Sequence, residues 1–228
     1  HGGALEEMTD TIASRAAERA GASYYGIQLP DNLEWHLPSH TVTADQSPVL
    51  ASFLSHVNIV ITVHGFGRAG FFTSLLLGGR NRRLATHLGG LLRTHLPAYT
   101  ILDDIDDIPN NLRGMHQDNP VNVVEHAGVQ LELPPRVRGA SPLWWDWEGP
   151  GLTPHTESLI DALVDCAITC SISYLWNSAF GEVIHRIIIT MDQQNKILSA
   201  NKRMGFTLVS IAVAFFIAII LKKIVFPG

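Results

Sequence analysis

His1, Glu6, His64 and Glu132 carry side chains suited to metal-assisted hydrolysis, and each stands in a setting that could expose it. His1 and Glu6 share one glycine turn, His-Gly-Gly-Ala-Leu-Glu. His64 ends the β-branched run Ile59-Val60-Ile61-Thr62-Val63 and is followed at once by Gly65 and Gly67. A hydrolytic zinc ion takes three protein ligands from His and Asp/Glu and keeps a fourth position for water. His1, Glu6 and His64 would make such a set, and water on the ion, with a pKa near roughly 7, is a nucleophile at neutral pH. Glu132 lies near the end of a second strand-like run, Gly-Val-Gln-Leu-Glu-Leu. There it could take the water's proton and deliver it to a leaving amine. Each residue also has an ordinary reading: a satisfied core histidine, a frayed terminal one, or a glutamate that favours a helix N-terminus. Types and spacing leave both open.

The elements that must position these groups follow from the hydropathy pattern. The stretch Val57 to Gly67 reads as a strand buried on both faces, and open α/β sheets place their chemistry at the C-terminal ends of such strands. Ahead of it, Thr9 can cap a helix with an apolar stripe of Ile12, Ala13, Ala16 and Ala20. Short extended runs follow at Ser23–Gln28 and Leu33–Leu37, then a helix over Pro48–His56. Phe71–Leu77 reads as the next strand, closed by Gly78-Gly79. Asn81–Leu96 has helical spacing through Leu84, Leu88, Leu91, Leu92 and Leu96, and Tyr99–Leu102 is a further strand. Asp103–Asn119 reads as a surface loop, Gly128–Leu133 as a strand stopped by Pro134-Pro135, and Pro154–Cys170 as a closing helix. This alternation predicts an α/β fold: a mixed, largely parallel sheet flanked by helices.

The 228 residues hold 16 Lys+Arg against 21 Asp+Glu. With no basic tract or aromatic-interleaved basic patch, nucleic acid is not an expected partner. Cys166 and Cys170, four apart on the closing helix, suit buried thiols better than a disulfide framework. His36 and His40 flank Pro38 and read as surface or structural histidines. Trp144, Trp145 and Trp147 read as packing at the domain edge. Asp103, Asp104, Asp106 and Asp107 lack the glycine and terminal glutamate of a calcium loop. Gly205 to Leu221 carries no charge and is flanked by Lys202-Arg203 and Lys222-Lys223. That predicts one transmembrane helix over 205–226, of undecided orientation. From Met191 the tail resembles the small assembly proteins of cytochrome oxidase. The expected division is a hydrolase domain over 1–170, a linker over 171–204 and the membrane span. The protein would then be membrane-anchored through its tail, and otherwise secreted or cytoplasmic.

His-Gly-Gly-Ala-Leu-Glu, Val-His-Gly, Leu-Gly-Gly-Arg-Asn and Gly-Val-Gln-Leu-Glu-Leu-Pro-Pro-Arg, in that order over residues 1–170, resemble the poly-γ-glutamate hydrolase family, which includes phage-borne depolymerases. The resemblance implies a zinc carboxypeptidase-like fold with one zinc ion above the strand ends. It implies His1, Glu6 and His64 as ligands and Glu132 as general base or acid. It also implies a strand ahead of His1, and proteins to which a membrane tail is foreign. The implied substrate is γ-linked polyglutamate, a dense polyanion, and guanidinium groups grip carboxylates bidentately. Arg80, Arg82 and Arg83 follow one glycine turn, and Arg136 and Arg138 follow Glu132. Arg80 with Asn81 resembles, in reversed order, the Asn/Arg pair that holds the terminal carboxylate in carboxypeptidases. Arg80, Asn81 and Arg136 are therefore the candidate substrate-binding residues, while Arg82 and Arg83 also suit a solvated helix start. Two other functions fit the same residues: a small-substrate N-acyl amino-acid deacylase with the same zinc set, and a catalytically inactive, membrane-anchored binding or assembly protein.

Overall fold

A computed structural model describes residues 4–30 and 37–171. His1, His36, most of the Leu33–Leu37 run, the 171–204 linker beyond Ser171 and the 205–226 span lie outside the described residues. The strands are β1 (Val60–Gly65), β2 (Ser74–Gly78), β3 (Thr100–Leu102) and β4 (Gly128–Leu133). The helices are α1 (Thr9–Ala20), α2 (Pro48–His56), α3 (Arg82–His95), α4 (Pro120–Val123) and α5 (Pro135–Arg138), and α6 covers residues 154–171.

The sheet order is β1-β4-β2-β3. β1 pairs with β4 and β2 with β3 in parallel, while β2 runs antiparallel to β4. The sheet is therefore mixed and mostly parallel, as the alternation predicts. β4, last in sequence, occupies an inner position, and every one of its residues is buried. Its period of two sends Val129, Leu131 and Leu133 to one face, where they meet Leu75, Leu77 and Val63. That face is covered by Ile12 and Ala16 of α1, Leu84, Leu88 and Leu92 of α3, and Leu159, Ile160 and Leu163 of α6. Each fully buried leucine contributes about 1.5–3 kcal/mol. On the opposite face Val60 packs with Val121, Val124 and Phe53, and Leu76 with Phe66 and Ile108.

Local chemistry shifts several boundaries. β2 starts at Ser74 rather than Phe71, because the Ser74 N–H turns back to the Phe71 carbonyl at 3.1 Å. Thr9 does not cap α1. It is the first residue of the helix, and its hydroxyl donates to the Glu6 carbonyl at 2.8 Å, which pins the preceding turn. Ser23–Gln28 supplies no strand to the four-stranded sheet, and Gln28 makes only an isolated bridge. Asn81 is the N-cap of α3, with Oδ1 accepting from the Leu84 N–H at 3.0 Å. Arg82 donates to the Leu77, Gly79 and Asp103 carbonyls, so it braces the end of β2. Gly78 has to be glycine here: a Cβ would sit 2.3 Å from the Arg113 carbonyl oxygen. No helix among the described residues is long and apolar enough to cross a membrane.

Candidate active site

Because β1 and β4 are parallel, their C-terminal ends share one edge of the sheet, and their register sets His64 beside Glu132. In-register neighbours on parallel strands point to the same face, here the one opposite the main core. His64 is 8% exposed and Glu132 4%. The turn Ala4–Glu6 packs onto this edge. Glu6 Oε2 accepts from the Gly65 N–H at 3.0 Å and lies 3.4 Å from His64 Nδ1. Gly65 permits the approach: a Cβ would stand 3.0 Å from the Glu6 Cα and 2.9 Å from the Arg138 Cζ.

Arg138 is itself 4% exposed. Its Nε donates to the Leu133 carbonyl at 3.2 Å and its Nη1 to the Glu7 carbonyl, tying the Glu6 turn to the end of β4. Burial lowers the Arg138 pKa, while Glu6 and Glu7 raise it. The polyanionic substrate implied by the resemblance makes this arginine a possible grip, but its acceptors are internal.

Burial pushes the Glu132 carboxyl up to about 8; the Gln130 hydrogen bond opposes that rise and the Glu6 charge adds to it. Gln130 Nε2 donates to Glu132 Oε1 at 2.8 Å, and Asn119 Nδ2 donates to Gln130 Oε1 at 2.7 Å. Gln130 and Asn119 therefore orient the glutamate. The period of two already put Gln130 on the Glu132 face, whereas Asn119 arrives from the 103–119 loop. Ser39 Oγ lies 3.5 Å from His64 Nε2. Next to Ser39, the His40 ring sits 4.8 Å from that of His116.

The donor set suits a metal ion. An imidazole nitrogen and a carboxylate oxygen on one tetrahedral zinc ion are about 3.3 Å apart. Glu6 Oε2 and His64 Nδ1 already stand at nearly that spacing, at 3.4 Å. His1, the third expected ligand, lies outside the described residues.

The family model described as Poly-gamma-glutamate hydrolase matches residues 1–141. The chain belongs to this family. The match contains His1, Glu6, His64, Glu132 and Arg136, and it ends before α6. A solved structure titled "Structure of Bacteriophage poly-gamma-glutamate hydrolase" superposes with a TM-score of 0.60. It covers 77% of this chain and 82% of that one at 20% identity, a likeness of fold. No curated protein matches the chain.

In this poly-gamma-glutamate hydrolase family member the three candidate substrate residues do not come together. Arg136 follows β4 on α5, at the edge that holds Glu132. Since β2 opposes β4, Tyr99 at the start of β3 lies at that edge too. The Arg136 guanidinium carbon is 5.6 Å from the centre of the Tyr99 ring, and its Nε has no hydrogen-bond partner among the described residues. Trp144 Nε1 donates to the Arg136 carbonyl at 2.8 Å, and Tyr99 Oη lies 2.6 Å from His155 Nδ1. Burial lifts the Tyr99 hydroxyl to about 12 against the pull of Arg136. Arg80 and Asn81 sit instead at the opposite edge. The Asn81 N–H bonds the Gly128 carbonyl and its Nδ2 the His126 carbonyl. Gly128 and Glu132 are four residues apart, about 13 Å along β4.

Proposed function

We propose that this family member is a zinc-dependent hydrolase of γ-glutamyl amide bonds in poly-γ-glutamate. The observation that carries the reading is the buried His64–Glu132 pair, in register at the ends of two parallel strands, with Glu6 3.4 Å from His64. The name of the bacteriophage relative supports the substrate.

His1, Glu6 and His64 would hold the ion, which when bound supplies Lewis acidity toward the amide carbonyl and an acidified water. Glu6 is aimed by the Gly65 N–H and backed by the buried Arg138 charge. Glu132 moves the proton: its carboxylate accepts one from the attacking water and returns it to the leaving amine nitrogen. A bound cation would favour the ionised form of Glu132, which is the form that accepts a proton. Gln130 holds one carboxylate oxygen, so the group keeps a single orientation through the transfer. Arg136 supplies a guanidinium toward the free α-carboxylates of the polymer. The uncharged run Gly205–Leu221 supports a membrane anchor, joined through 171–204 to the hydrolase domain of 1–170.

Zinc content and shortening of γ-polyglutamate, followed by size-exclusion chromatography, test the reading. His64→Ala is expected to lose the hydrolytic zinc and the activity. Glu132→Gln is expected to keep zinc and lose activity by roughly 10²–10⁴-fold. Hydrolysis by Glu132→Gln at the wild-type rate would overturn the assignment. Cleavage of N-acyl glutamate with the polymer left intact would make the protein a deacylase, and a chain that holds no His64-dependent zinc and cleaves neither substrate would be the inactive anchor.

A further inference from the structure

A second group of ligating side chains lies in the helical layer. Cys166 and Cys170, one helical turn apart on α6, present their sulfurs to the same side, 4.0 Å from one another. α3 brings His87 to them; its Nε2 lies 2.8 Å from Thr169 Oγ1. One ligand atom from each of His87, Cys166 and Cys170 falls within 4.8 Å of the other two. Two thiolates on one tetrahedral zinc ion are about 3.8 Å apart, so the sulfur pair already has nearly the required span. Cys166 is held by the main core, while Cys170 is half-buried and His87 exposed, which leaves a way in for an ion.

The donors are thiol, thiol and imidazole. That set selects thiophilic ions and offers calcium or magnesium no oxygen cage. Both cysteines are free. α6 starts at the catalytic edge, where His155 meets Tyr99, and runs away from it. From His155 to Cys170 it rises about 22 Å. The group is thus distinct from the Glu6–His64 centre, and its two cysteines lie past residue 141, where the family match ends.

We infer that His87, Cys166 and Cys170 form a second metal site, which takes a thiophilic divalent ion of the zinc class and clips α3 to α6. The site needs no part of the hydrolytic reading.

Cobalt(II) titration of the reduced full chain tests it, because thiolate–cobalt charge transfer absorbs in the near ultraviolet and carboxylate–imidazole ligation does not. The expected result is one equivalent with charge-transfer absorption, displaced by zinc. Cys170→Ser should lower the band at least twofold and His87→Ala should weaken binding at least tenfold, with circular dichroism confirming that each variant is folded. His64→Ala should leave the band unchanged, and Cys170→Ser should hydrolyse polymer, if wild type does, at the wild-type rate. A wild type without the band while both thiols titrate as free would overturn the proposal. So would a band of undiminished intensity in Cys170→Ser. Failure of the hydrolytic reading removes activity or the His64-dependent metal and leaves this band in place.

Discussion

Replacing Glu132 with glutamine reads the site through its cost to the fold. Burial and the neighbouring Glu6 charge raise this carboxyl to about 8, from 4.5 for an unperturbed glutamic acid. Between those values the folded chain holds a proton that the unfolded chain has released. Stability therefore falls as pH rises, by about 1.4 kcal/mol per pH unit while the difference is complete. Over the whole window the loss approaches about 5 kcal/mol, against a typical domain stability of about 5–15 kcal/mol. Glutamine carries no charge at any of these pH values, and its carbonyl can still accept from Gln130 Nε2. Metal-free Glu132→Gln is therefore expected to match wild type near the acidic end and to exceed it by several kcal/mol near the basic end. The assay is urea unfolding in the presence of a chelator, followed by tryptophan fluorescence across the pH window. Zinc added to wild type should flatten its profile, since a nearby cation favours the ionised carboxylate. A metal-free wild type whose stability does not fall across the window would refute the reasoning. A variant less stable than wild type at the basic end would do so as well.

Asn81→Ala should remove the cap of α3 and about 1 kcal/mol of stability, read by thermal unfolding, while leaving kcat/KM on polymer unchanged. A tenfold loss of kcat/KM with the melting temperature unmoved would return Asn81 to substrate binding. Arg136→Ala should raise KM for polymer by about 10–100-fold, the equivalent of one charge-assisted hydrogen bond, and Arg136→Lys should recover little because lysine lacks the planar fork. An unchanged KM would leave Arg136 only as the partner of Tyr99.

What was legible in the chain was local. The β-branched run before His64, the alternation around Glu132 and the leucine spacing of α3 each encode an element within a dozen residues, and all three formed where the pattern put them. The placement of His64 and Glu132 at strand ends followed from those patterns. Strand direction did not. β2 opposes β4 through Leu76 and Glu132, residues distant in sequence, and that one pairing carries Arg80 and Asn81 to the far edge. Arg138 was illegible for a related reason: its acceptors, the Glu7 and Leu133 carbonyls, are brought together only by the finished sheet. The spacing of Cys166 and Cys170 marks one helix face, yet nothing near them in sequence announces His87.

The inner position of β4 also governs how the protein can be made. Among the described residues β1 has no strand to pair with until residues 128–133 have been synthesised, because its register runs from Val60 with Gly128 to Gly65 with Leu133. A nascent chain that stops short of this segment can pair β2 with β3 but cannot join them to β1. The strand that closes the gap is the one that carries Glu132. Closure of the sheet and arrival of Glu132 are thus one event, and a ribosome-bound fragment lacking β4 holds His64 without Glu132 beside it. Non-local closure of this kind is slow, so the time spent waiting for β4 is when the exposed edges of β1 and β2 are open to pairing with other chains.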